Sequence, residues 1–201
     1  MNSKKYLIVV LFVVTALFQA ACSGNKQAAT MAVNAAQESF DAVKGEAAKY
    51  VPDQAKSVED AIKTAKDNLA KGDYEAALAS AKTIPDSVKG LTTAIADKKT
   101  ELTASFQQMS GGMPKMLDAV KKRLDILSAS RKLPASLDQA KFEGAKSGYE
   151  TAAKAWEEAK SDFSGGNVAD AMGKAKLVKE KAVEVMSTLG MKVPAGAASK
   201  G

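Results

Sequence analysis

Apolar residues return every three or four positions along most of the chain. One stripe runs Ala29, Val33, Ala36, Phe40, Val43, Ala47, Tyr50, and the next runs Val51, Ala55, Val58, Ile62, Ala65, Leu69. A half-buried strand alternates with a period of two. Spacings of three and four mark one face of an amphipathic helix that packs against a neighbour in coiled-coil fashion. A third stripe carries Tyr74, Leu78, Ala81, Ile84, then Val88, Leu91, Ile95, Leu102, Phe106 and Met109. Pro85 falls inside it, which predicts a kink or short break at 83–85, and Gly111-Gly112 marks its end. Pro114 opens a fourth helix with Met116, Val120, Leu124 and Leu127, followed by a loop at "SASRKLP". A fifth starts near Ala135 with the stripe Ala145, Tyr149, Ala152, Trp156, Ala159, Phe163, and "GGN" ends it. A sixth carries Val168, Met172, Ala175, Val178, Val185 and Leu189. The expected fold is all-α: an elongated antiparallel bundle of about six helices over residues 28–190, with a disordered tail at 191–201. Alanine is abundant and aromatics are 5%, so the interfaces should be thin and alanine-lined.

Two stripes coincide when displaced by 94 residues. Val51, Ala55, Val58, Ile62, Ala65 and Leu69 fall on Ala145, Tyr149, Ala152, Trp156, Ala159 and Phe163. The turn returns as well, Gly72-Asp73-Tyr74 against Gly166-Asn167-Val168, with Gly72 as C-cap and Asp73 placed to cap the helix that follows. Two related helical hairpins, about 51–95 and 145–189, are expected. Heptad-like seams on every helix leave self-association open.

The first residues have a different character. A basic head, Met1 to Lys5, precedes an apolar run from Tyr6 to Phe18 broken only by Thr15. That run is shorter than the roughly 20 residues a membrane span needs, and it has the form of a secretory signal. Small residues Ala20 and Ala21 lead directly to Cys22, the single cysteine of the chain. A lone exported cysteine has no disulfide partner in the chain, and a zinc site needs three or four ligands in a protein with no histidine. The box Gln19-Ala20-Ala21-Cys22 resembles a bacterial lipoprotein signal, with Gln19 where that family has leucine. The resemblance implies a signal peptide at 1–21 and a lipidated Cys22, and Ser23 to Gln27 read as a short flexible tether, so that 22–27 are lipidated cysteine and tether. The resemblance also implies a palmitate-type anchor that holds the protein on a membrane without spanning it. Ser23 stands where an aspartate would favour the inner membrane, so the family pattern places the protein at the cell outer membrane, facing the periplasm.

"LAKGDYEAALASAK" resembles the turn and second helix of a tetratricopeptide repeat at Gly72, Tyr74, Ala77 and Ala81, but the first helix matches only at Ala65. Residues Pro52, Val58, Ala65, Leu69, Gly72, Asp73, Tyr74 and Ala77 resemble a loosely defined group of bacterial lipoproteins with alanine-rich hairpins. That resemblance implies service to the cell envelope and brings no catalytic residues.

The chemistry-bearing residue types are sparse. With no histidine and Cys22 committed to lipid, the commonest base, metal ligand and nucleophile are missing. Ser23 and Lys26 match an S-x-x-K pattern without its helix or partner motifs, and no glycine-rich phosphate loop or acidic calcium loop occurs. Glu157, Glu158, Asp60 and Asp67 have the spacings of a solvated face. The formal charge is +6, and Lys4 and Lys5 leave with the signal, which argues against a nucleic-acid binder. The candidate contact patch is basic: Lys115, Lys121, Lys122, Arg123, Arg131 and Lys132, set against Asp118 and Asp125. It would meet anionic lipid or an acidic partner, or form a solvated helix face.

These readings point to a non-enzymatic, lipid-anchored envelope protein with no cofactor and no metal. It would present helical hairpins to another envelope protein or the cell wall. The alternative is a periplasm-facing assembly adaptor or chaperone, similar to the helical lipoproteins that escort secretion pores. That reading calls for an apolar groove between helices.

Overall fold

The three-four spacing folds as helix throughout. The computed structural model describes residues 3–194, with side chains described from Asn25 onward. The chain is all-α, and no strand occurs among the described residues. Helix α1 is Ser3–Tyr50, α2 Pro52–Ala70, α3 Tyr74–Ala129, α4 Gln139–Ser164 and α5 Val168–Thr188. Among the described residues no helix is long and apolar enough to cross a membrane.

Five helices stand where about six were expected, because α3 runs unbroken through both of its expected interruptions. Pro85 lies on the exposed face, while Ala81, Ile84 and Val88 are buried on the other. Proline deletes one backbone hydrogen bond, the one its position would make to the Ala81 carbonyl, and the helix continues through that loss. Gly111-Gly112 is helical too. Two glycines cost about 2 kcal/mol relative to alanine in a helix interior. Phe106 and Met113, both almost fully buried on either side, outweigh that, since burying one such side chain contributes about 1.5–3 kcal/mol. Local propensity yields to packing at both places.

Residues 23–27, read from the sequence as a tether, lie within α1. Helix α4 begins four residues later than expected. Asp138 is its N-cap and accepts a 2.8 Å hydrogen bond from the Lys141 amide. Of the tail, 191–194 have no regular structure, and 195–201 lie outside the described residues.

The chain divides into two compact units, Met1–Lys98 and Lys99–Gly201, with the boundary inside α3. In the first unit, α1 and α2 are joined through Val51 alone, and Pro52 takes the first helical position of α2. The two helices run antiparallel: Lys44 pairs with Glu59 and Gln37 with Lys66, so one number falls as the other rises. Ala29, Val33, Ala36, Phe40, Ala47 and Tyr50 of the first stripe are buried, and so are Ala55, Val58, Ile62 and Ala65 of the second.

In the second unit the C-terminal part of α3 packs with α4 and α5 around two apolar clusters. One holds Phe106, Met113 and Leu117 of α3 against Ala152, Trp156 and Ala159 of α4 and Ala171, Ala175 and Val178 of α5. Phe106 lies between two rings, stacked on Phe163 at 4.3 Å and on Trp156 at 5.6 Å. The other cluster closes the far end with Val120, Leu124, Leu127, Phe142, Val185 and Leu189.

The hairpin turns match bond for bond. In α2–α3, Gly72 has φ +80°; its amide donates to Leu69 O and the Asp73 amide donates to Asn68 O. In α4–α5, Gly166 has φ +81°; its amide donates to Phe163 O and the Asn167 amide donates to Asp162 O. Both are left-handed glycine caps that satisfy the last helical carbonyls. Asp73 then caps α3 through a 3.0 Å bond from the Ala76 amide, as its position predicts.

Candidate functional site

An apolar groove of the second unit lies between α3 and α5. Its volume is about 620 Å³. Helix α3 contributes Met109, Met113 and Met116, and α5 contributes Met172 and Met186, so five of the chain's eight methionines line one surface. Ser105, Gly112, Ala119 and Pro194 also line it. Lys115 and Lys179 are the charged residues of the walls, which contain no carboxylate.

The placement follows from helix geometry. Ser105, Gly112 and Ala119 are spaced by seven, as are Met109 and Met116. On α5, Met172, Lys179 and Met186 are spaced by seven. Seven residues make two turns, so each set stacks along one side of its helix. Met113, Met172 and Met186 are themselves buried, and Met109 and Met116 pack partly buried against the core. The groove is therefore the outer skin of the core, built from the most adaptable apolar side chain. Gly112 contributes bare backbone: a β-carbon added there would meet no atom within 4 Å.

Three residues of the basic patch read from the sequence have partners within the chain. Lys121 pairs with Asp125 at 2.7 Å, and this hydrogen bond, then the carboxylate's charge, raises the Lys121 pKa above its ordinary value. Lys122 pairs with Asp118 at 2.8 Å. Arg123 turns its Nε to the carbonyl of Leu189, 3.4 Å away at the C-terminus of α5, where a cation meets the negative helix end. Arg131 and Lys132 are exposed in the α3–α4 loop, and Lys115 stands on the groove. Cys22 lies within the span of α1, and its side chain is outside the described ones.

The aromatics serve the interior. Trp156 is buried in the ring stack, and Tyr149 is half-buried between the two clusters. Among the described residues no group of three or more Cys, His, Asp or Glu side chains could hold a metal ion. None of the described polar or charged side chains is buried.

The methionine groove was not read from the sequence. Splitting α3 at Gly111-Gly112 put Met109 and Met116 on different helices, whereas an unbroken α3 places them two turns apart on one face. The available signal was the seven-residue spacing carried across the two glycines. No known protein family, curated protein or solved structure matches the chain significantly.

Proposed function

We propose that this chain is a non-enzymatic lipoprotein of the cell envelope, anchored through Cys22 to the outer membrane, that binds a protein partner through its helical surface. The observation that carries the binding half is the methionine-lined groove between α3 and α5. An apolar groove of this size on a helical unit is an interaction feature, and methionine walls suit a partner whose side chains must be accommodated by repacking. The signal pattern ending in Gln19-Ala20-Ala21-Cys22 supports the anchor.

The groove also favours the adaptor reading over a purely structural tether to the cell wall. An adaptor needs an open apolar surface, and this one is lined by methionines rather than by Tyr74, Tyr149 or Trp156.

Two readouts on one strain test the two halves. Clickable palmitate should label the native protein and not Cys22→Ala, with the labelled material in the outer-membrane fraction. A photo-crosslinking residue at exposed Gln108, on the groove, should capture a specific envelope protein. Unlabelled, soluble protein would overturn the anchor. Labelled protein that yields no crosslink from Gln108 or from sites around either unit would overturn protein binding.

A further inference from the structure

The first unit has two ends, and only one of them lies near Cys22. Helix α1 is continuous through residues 22–28, and its buried stripe opens at Ala29 and Val33, both almost wholly inaccessible. Asn25, Lys26, Gln27 and Ala28 before it are all exposed, so about one turn of helix projects beyond the packed part of the unit. Seven residues separate Cys22 from Ala29. As helix they span about 10 Å, and even a fully extended chain of that length reaches only about 25 Å.

The register of α1 on α2 decides what else lies at that end. Lys44 pairs with Glu59 and Gln37 with Lys66, seven residues back along α1 for seven on along α2. A further seven in the same register set Thr30 level with Asp73, so the α2–α3 turn at Lys71–Asp73 stands beside the first buried turn of α1. The joint at Val51 lies at the opposite end: Asp53 is about 27 Å from Lys71 along α2.

The side chains at the turn end are an independent observation. Met31, level with Gly72, is 65% exposed and is the one exposed large hydrophobic residue of the first unit among the described residues. The charges within 25–32 and 70–75, Lys26 and Lys71 against Asp73 and Glu75, cancel. An open methionine on a surface of balanced charge suits the interface of a bilayer, where an apolar side chain enters the headgroup layer, and calls for no anionic lipid.

We infer that the first unit stands on the membrane by its α2–α3 turn. A helical arm of two turns from Cys22 to Ala29 holds it there, with Met31 in the headgroup layer and the α1–α2 joint directed away. A flexible tether would leave the unit free to turn, whereas an arm this short and regular fixes which end is open to a partner. The inference rests on the lipid anchor of the proposed function and is independent of the methionine groove.

The test uses the full mature chain, purified with its lipid, in phospholipid nanodiscs whose headgroups carry a nitroxide. Lys71→Cys and Asp53→Cys, both at exposed positions, each carry a fluorophore on the added thiol, and methionine methyl groups are ¹³C-labelled. Fluorescence at 71 should be quenched at least about twofold more than at 53, in zwitterionic and anionic nanodiscs alike, given the separation along α2. The Met31 methyl signal should broaden relative to nanodiscs without nitroxide. A flexible insertion of about twelve Gly and Ser residues after Gly24 should bring the two quenching values together. Anchored protein with equal quenching at 71 and 53, an insertion that changes nothing, an unbroadened Met31 signal, or quenching confined to anionic nanodiscs would each overturn the inference and leave the anchor standing. Protein that stays off the nanodiscs would overturn the anchor and the inference with it.

Discussion

The hairpins at 51–95 and 145–189 have the same backbone plan and differ in what fills it. Their turns share the same donors and acceptors at positions 94 apart. Buried Val58, Ile62, Ala65, Ala77, Ala81, Ile84, Val88, Leu91 and Ile95 correspond to buried Ala152, Trp156, Ala159, Ala171, Ala175, Val178, Ala182, Val185 and Leu189. Size is redistributed between the copies: Ile62 corresponds to Trp156, while Val58 and Val88 correspond to alanines. The sharpest difference is at Gly148, which corresponds to Gln54. A β-carbon at 148 would lie 2.9 Å from Cγ2 of Val185, so α4 and α5 are in direct contact there. The α2–α3 pair instead leaves an outer hollow of about 600 Å³ lined by Gln54, Ser57, Gly90 and Leu91, among others. The matching face of α4–α5 is divided into two smaller hollows of about 360 and 380 Å³. One spacing pattern thus supports a close and an open interface, and the residue at a single crossing point distinguishes them.

Core truncation should separate the hairpins most. Trp156→Ala removes the ring that Phe106 stacks on and should lower the stability of the second unit by about 4 kcal/mol. Ile62→Ala should cost the first unit about 3 kcal/mol. Site-resolved hydrogen exchange reads each loss in its own unit, and equal losses would mean that the ring stack adds nothing to burial.

The crossing point comes next. Gly148→Leu should force α4 from α5 and destabilise by about 2 kcal/mol. Gln54→Leu, opening on the hollow, should be neutral or stabilising. Chemical denaturation of the two variants checks the contrast, and similar effects at both sites would remove the distinction between the close and open interfaces.

The shared turns should respond alike. Gly72→Ala and Gly166→Ala each place a β-carbon at φ near +80° and should each cost about 1 kcal/mol. A large inequality between them in thermal unfolding would show that the matched hydrogen bonds conceal different strain.

The smallest effect concerns a cap without a counterpart in the first hairpin, where α2 begins at Pro52 after Val51 and has no side-chain cap. The Asp138 pKa is lowered, first by the hydrogen bond from the Lys141 amide. A depressed folded value means that the contribution is complete above the unfolded carboxylate pKa and fades as pH falls through the folded one. Amide exchange in the first turn of α4 should accelerate across that acidic window in the native protein. Asp138→Asn, which retains a capping oxygen, should lose this pH dependence, and an unchanged profile would remove the carboxylate from the account.

Helix, period and turn were legible in the chain because they are local. The three-four spacing names the buried face, and nearly every stripe residue from Ala29 to Leu189 is buried or half-buried on it. Glycine at 72 and 166 and aspartate at 73 mark turns and caps from properties of single residues. The continuity of α3 could not be read in the same way. Pro85 and Gly111-Gly112 oppose helix locally, and only the burial of Ile84, Val88, Phe106 and Met113 against other helices outweighs them. The methionine groove depends on that outcome, since its lining residues align only if α3 is one helix and α5 lies beside it. The bond from Arg123 to the Leu189 carbonyl likewise depends on which helix end lies near, whereas the pairs of Lys121 with Asp125 and Lys122 with Asp118 are four residues apart on one helix and therefore local. Short-range preference is written residue by residue, whereas a surface between two helices arises from the sum of many contacts that are distant in sequence.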